Sequence, residues 1–119
     1  MGVEVSVREN LHEIHVGGML GQRFDATVAA PVLAAWRRGD LRDGLPGGGE
    51  TGEETVARVL PVLASIADSF RGETVLVVCH GAVMLALLGR FAPDPAGTDE
   101  VGNCESFVLE GDADGWVLA

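Results

Sequence analysis

The stretch Glu73-Thr-Val-Leu-Val-Val-Cys-His-Gly-Ala-Val-Met-Leu-Ala-Leu-Leu-Gly89 leaves the chain little choice of local structure. Val75 to Val78 is a short aliphatic run that suits a strand covered on both faces, as in a parallel sheet. Gly81 permits a sharp turn, and Ala82 to Leu88 combines strong helix formers with no polar side chain, which predicts a buried helix. In open α/β sheets, ligands bind where a strand ends and a helix begins, because the first helical N–H groups and the helix dipole favour an anion. His80 stands at that junction. It reads either as a functional residue at the mouth of a site or as a core histidine bonded to a neighbouring carbonyl.

The other segments arrange themselves around this unit. Val3, Val5 and Val7 alternate with Glu4, Ser6 and Arg8, the period-2 signature of a half-buried strand. Leu11, Ile14 and Val16 then anchor a segment that carries His12, Glu13 and His15, before Gly17 and Gly18 allow a turn. Phe24, Val28, Val32, Leu33 and Trp36 fall near helical spacing, with Pro31 expected to kink or divide the helix and Arg37-Arg38-Gly39 to stop it. A Gly-rich loop from Asp40 to Gly52 follows; it is not a phosphate-binding Walker loop, since no Gly-Lys-Ser/Thr occurs. Thr51-Gly-Glu-Glu54 reads as a capping box. It opens a helix whose apolar face is Val56, Val59, Leu60, Leu63, Ile66, Ala67 and Phe70, with Pro61 as a kink. Near the end, Ser106 to Leu109 and Trp116 to Leu118 read as two strands of a hairpin around Gly111-Asp-Ala-Asp-Gly115.

Length and charge narrow the function classes. The 119 residues suit one domain spanning 1–119, with no internal repeat. No apolar run approaches the roughly 18 residues of a membrane span, and Met1 to Val7 lacks a secretory pattern, so the expected setting is cytoplasmic with no membrane partner. The net charge of −10, with all eight basic residues arginine, argues against nucleic-acid binding. Cys79 and Cys104 lie in apolar contexts that favour reduced thiols. His12, His15 and His80 match no zinc spacing, so neither metal nor other cofactor is expected.

Taken together, Leu11-His-Glu-Ile-His-Val-Gly17, the Gly-Gly-Gly-Glu50 loop before a long helix, Glu73-Thr-Val-Leu-Val-Val-Cys-His-Gly81 and Asn103-Cys-Glu resemble the carboxyl-terminal half of the histidine phosphatase superfamily, the phosphoglycerate mutase-like enzymes. The resemblance covers nearly the whole chain. It implies an α/β fold, a three-layer sandwich with a small, mostly parallel sheet. In that family a phosphoryl group passes to a nucleophilic histidine, a second histidine and arginines stabilise it, and a carboxylic acid protonates the leaving oxygen. By resemblance His80 matches the second histidine and Glu13, sheltered between Leu11 and Ile14, matches the acid. Substrate contacts are then expected from His15, Gly81, Asn103, Arg8 and Arg23, with Arg58 a further candidate for an anion contact.

Two departures bear on mechanism. The family's nucleophile lies in an Arg-His-Gly motif on its first strand, and no such tripeptide occurs here; Met19-Leu-Gly21 also replaces the usual Trp-Glu-Gly. The missing strand neighbours the His80 strand in the family, so the edge at Val75 to Val78 should be covered by other means, and a homodimer is expected. The leading expectation is an enzyme with altered acid/base chemistry at His80 and Glu13 on a small anionic or oxygen-rich substrate. The alternatives are a residual phosphomonoester hydrolase and a non-catalytic module that binds a phosphorylated ligand or dimerises.

Overall fold

The computed structural model describes residues 4–14, 26–102, 105–112 and 115–118. Its longest helix begins where the capping box predicts. Thr51 adopts an extended backbone, its hydroxyl oxygen accepts the Glu54 N–H, and the hydroxyl in turn donates to the Glu54 carboxylate at 3.1 Å. That start launches a helix over Gly52–Ser69, which buries Val56, Val59, Leu63 and Ile66 on one face; Pro61 lies inside it without ending it. In chain order, α1 spans Ala26–Arg37, α2 spans Gly52–Ser69 and α3 spans Gly81–Phe91. Pro31 likewise sits within α1 as one uninterrupted helix, so the expected division does not occur; Phe24 lies outside the described residues.

The stop after α1 follows the expected pattern. Gly39 has a φ of 100°, and its N–H donates to the Trp36 carbonyl at 2.9 Å, a conformation that glycine reaches without strain. The chain then turns back across the end of α1, where the Trp36 indole N–H donates to the Asp43 carbonyl at 2.7 Å and Leu41 and Leu45 are buried.

α3 is the centre of the molecule. Ala82 and Ala86 face a core cluster with Ile14, Ala29, Trp36, Leu41, Leu45 and Val56. One position further on, Val83 and Leu87 join Val59 and Leu63 in a second cluster, against which Val77, Cys79, Phe107 and Trp116 pack. The helix is apolar around most of its circumference because it separates two cores. Gly89 lets α1 approach: a Cβ there would lie 1.7 Å from the Trp36 carbonyl oxygen.

The sheet differs from expectation. β1 (Leu109–Asp112) and β2 (Gly115–Leu118) form an antiparallel hairpin in which Leu109 faces Leu118 and Gly111 faces Trp116. The hairpin is therefore present, but its first strand begins at Leu109 and includes Gly111 and Asp112, which the sequence pattern assigns to the turn. Residues 73–80 form no strand pairing, nor do residues 4–8. Among the described residues the sheet is this two-stranded antiparallel hairpin, and the three-layer arrangement with a parallel sheet is not seen among them. Among the described residues no backbone pairs with either segment. Val77 and Cys79 pack inward on the second cluster, while Leu76 and Val78 are 85% and 80% exposed. The alternation is that of a strand, but pairing needs a partner backbone.

Candidate functional site

His80 precedes the first residue of α3 with φ −124° and ψ 159°, and its carbonyl accepts the first helical hydrogen bond, from Met84 N–H at 3.0 Å. Its imidazole is exposed and makes no capping bond to the helix. The first N–H groups of α3 thus lack an internal partner, as at any helix start. One of them has found a carboxylate. Glu13, distant in sequence, accepts the Ala82 N–H on Oε2 in a long hydrogen bond of 3.4 Å, while its Oε1 accepts the adjacent Ile14 N–H at 3.0 Å.

The path that brings Glu13 there is set by its neighbours. Leu11 packs on the second core cluster and Ile14 is buried in the first, so the backbone between them is stretched across the start of α3. Glu13 itself remains exposed, which corrects the expectation that these two residues shelter it. They anchor its backbone instead. The partial positive charge at a helix start favours a carboxylate at this position, by about 0.3–1 kcal/mol at an exposed site. A side chain at Gly81 would meet nothing within 4 Å, so the approach to this end of the helix is open.

Cys79 reports on the same neighbourhood. Burial raises the pKa of its thiol, a backbone hydrogen bond from His80 opposes the rise, and the Glu13 carboxylate adds to it. The free, half-buried Cys79 is accordingly held as the neutral thiol, as its apolar context suggests. Cys104 lies outside the described residues.

Of the expected substrate contacts, Gly81 belongs to this junction and Arg8 lies on the exposed segment 4–8, while His15, Arg23 and Asn103 fall outside the described residues. Arg58, in the sequence either an anion contact or an ordinary surface arginine, pairs within the protein. Its Nε and Nη2 donate to the two oxygens of Glu50 at 2.8 and 2.9 Å, and its Nη1 donates to the Asn10 carbonyl at 2.9 Å. The Thr55 hydroxyl adds a bond to Glu50 Oε1 at 2.8 Å. Sequence reasoning missed this network. Its signal was Glu50 placed just before the cap of a helix whose second turn carries Arg58. Among the described residues no group of three or more His, Cys, Asp or Glu side chains is placed to hold a metal ion. Two shallow surface concavities are lined by Leu60, Pro61, Phe91 and Trp116 in one case and by Arg38, Asp40, Arg42 and Glu53 in the other; neither includes Glu13 or His80.

What the junction offers chemically is one carboxylate bonded to a helix start and a histidine as the residue that precedes that helix. A carboxyl group can give up or take a proton, an imidazole can do the same or carry positive charge, and helical N–H groups can hold an oxyanion.

Comparison with known proteins gives this arrangement its context. The family model for the histidine phosphatase superfamily, branch 1, matches residues 1–119. The chain is 28% identical to phosphoglycerate mutase-like protein 4 of Arabidopsis thaliana over 98% of its own length and 52% of the relative's. It is 34% identical to the metal-independent phosphoserine phosphatase of the same plant over 73% of its length and 37% of the relative's. The chain thus spans about half the length, or less, of these relatives. No solved structure matched significantly.

Proposed function

Because the chain belongs to branch 1 of the histidine phosphatase superfamily, we propose that the junction of Glu13, His80 and the start of α3 binds the phosphoryl group of a small phosphomonoester and protonates its leaving oxygen. The observation that carries this reading is the Glu13 carboxylate on the Ala82 N–H, which sets a carboxyl group against an anion-favouring helix start preceded by His80. The phosphatase among the relatives supports phosphomonoesters as the substrate class.

In this reading a phosphoryl oxygen takes over the Ala82 N–H and its neighbours, and protonated His80 faces the equatorial oxygens, where charge spreads as the ester bond breaks. Glu13, released from the helix start and protonated, passes its proton to the departing alkoxide. The phosphorus–ester oxygen bond breaks as a bond from phosphorus to the attacking group forms. The attacking group is water or a nucleophilic side chain brought to the junction. The open approach to the start of α3 allows a second reading, in which the junction binds a phosphorylated ligand without turning it over.

Leaving-group dependence tests the assignment. An alkyl phosphate such as O-phosphoserine needs a proton on its leaving oxygen, whereas 4-nitrophenyl phosphate expels a weak base that does not. Glu13→Gln is expected to slow phosphate release from phosphoserine about a hundredfold or more, with a far smaller effect on the nitrophenyl ester. His80→Ala is expected to slow both. Equal effects of Glu13→Gln on the two esters, or unchanged release, would remove Glu13 as the proton donor. A folded protein that binds inorganic phosphate but releases none supports the second reading.

A further inference from the structure

We infer that the Glu50–Arg58 ion pair is the positioning device for Glu13, acting through the Asn10 carbonyl. The inference rests on the proton-donor role just assigned. All three kinds of guanidinium nitrogen are engaged. Nε and Nη2 form a two-pronged bond to Glu50, which fixes the plane and direction of the group, and Nη1 is left aimed at Asn10. Glu50 is itself immobilised by Thr55, which is fully buried on α2. The side chains of Arg58 and Glu50 are 14% and 12% exposed, so the pair belongs to the rigid framework of the helix rather than to a solvated surface.

Asn10 is where this framework reaches the Glu13 segment. It has a φ of 68°, alone among the described non-glycine residues in being positive, and it forms a tight turn three residues before Glu13. Asparagine tolerates that left-handed conformation better than most residues, but a turn of this kind persists when its surroundings fix it. The Arg58 bond supplies the fixing contact. Leu11 and Ile14 set how deeply the segment sits, since apolar packing is not directional. A hydrogen bond to the Asn10 carbonyl sets the plane of the following peptide, and with it the direction in which Glu13 leaves the backbone. The same geometry turns Arg58 toward the protein, with each of its three nitrogens bonded to a protein oxygen.

A cycle of variants tests this without requiring turnover. The Ala82 amide resonance is recorded for the wild type, Glu13→Gln, Arg58→Met and the double variant. With Glu13 in place, its replacement shifts that resonance; in the Arg58→Met background the shift is expected to vanish, because Glu13 no longer reaches Ala82. A response to Glu13→Gln that persists in Arg58→Met overturns the inference. Glu50→Gln serves in the same cycle if Arg58→Met does not fold. Kinetics give the second readout: Arg58→Met is expected to lower kcat for phosphoserine by about a hundredfold, with KM little changed and 4-nitrophenyl phosphate much less affected. An equal loss on both esters marks a purely structural role. If Glu13→Gln leaves turnover unchanged, the proton-donor reading fails while the amide cycle still decides the positioning role.

Discussion

Glu50 keeps its charge in a place where burial works against it. Removal from water would raise its pKa, but the hydrogen bonds from Arg58 and Thr55 and the charge of Arg58 hold it below its ordinary value of 4.5. A carboxylate with a lowered folded-state pKa stabilises the protein above the unfolded value, and that contribution fades as pH falls through the folded one. The urea midpoint of the wild type should therefore exceed that of Glu50→Gln by a constant margin from neutral pH down to about 4.5. The margin should close on further acidification, and one unchanged at pH 3 would show that the charge is not what matters. At neutral pH the break should cost on the order of 3 kcal/mol, because it strands the largely buried Arg58 guanidinium. Arg58 also shows where a residue-level reading of sequence stops. An arginine is equally suited to a substrate phosphate and to a protein carboxylate, and only the return of the Gly-rich loop onto the first turns of α2 decides for Glu50. Glu13 and His80 each stand within two residues of an apolar residue that is buried, Ile14 and Ala82 respectively, and their roles are those proposed above.

At the scale of elements, α3 depends on a residue chosen against helix propensity. Alanine at position 89 would favour the helix by about 1 kcal/mol over glycine, yet its Cβ would meet the Trp36 carbonyl oxygen at 1.7 Å. That oxygen already accepts the Gly39 N–H, so it cannot turn aside without undoing the end of α1. Gly89→Ala is expected to lower stability by about 1–3 kcal/mol as α1 and α3 are forced apart; a variant as stable as the wild type in thermal or urea melts would mean that the two helices can slide. The helices themselves were readable because their determinants are local: the glycine stop of α1, the capping box and apolar stripe of α2 and the apolar run of α3 each lie in or beside the segment concerned. The hairpin was readable in existence and not in exact bounds, since strand ends depend on which backbone groups find partners. The segments around Val5 and Val77 follow the period of strands and yet remain unpaired, because pairing is settled by a neighbour that no local pattern contains.

For the molecule as a whole, membership of the family gives an α/β class, and the described residues display the helical part of it around a largely unpaired set of would-be strands. Val5 and Val7 are 88% and 94% exposed, on a segment whose alternation marks them as a face meant for burial. Leu76 and Val78 repeat the pattern on the outer side of residues 73–80. The radius of gyration, 14.7 Å, exceeds the roughly 13.5 Å of a compact chain of this length, in keeping with segments that lack a layer to pack on. Unpaired backbone beside exposed aliphatic side chains is a template for strand addition. The net charge of −10 opposes close approach of two copies, but salt screens that repulsion within about 8–10 Å. Self-association of the chain should therefore strengthen with added salt, the reverse of an assembly held by ion pairs. Sedimentation velocity over a concentration series, at low and at physiological ionic strength, is expected to show this trend. Leu76→Lys with Val78→Lys should abolish it by placing two ammonium groups on the outer face while leaving Val77 and Cys79 packed inward. A single monomeric boundary in the wild type at every concentration and salt level would mean that these segments tolerate exposure.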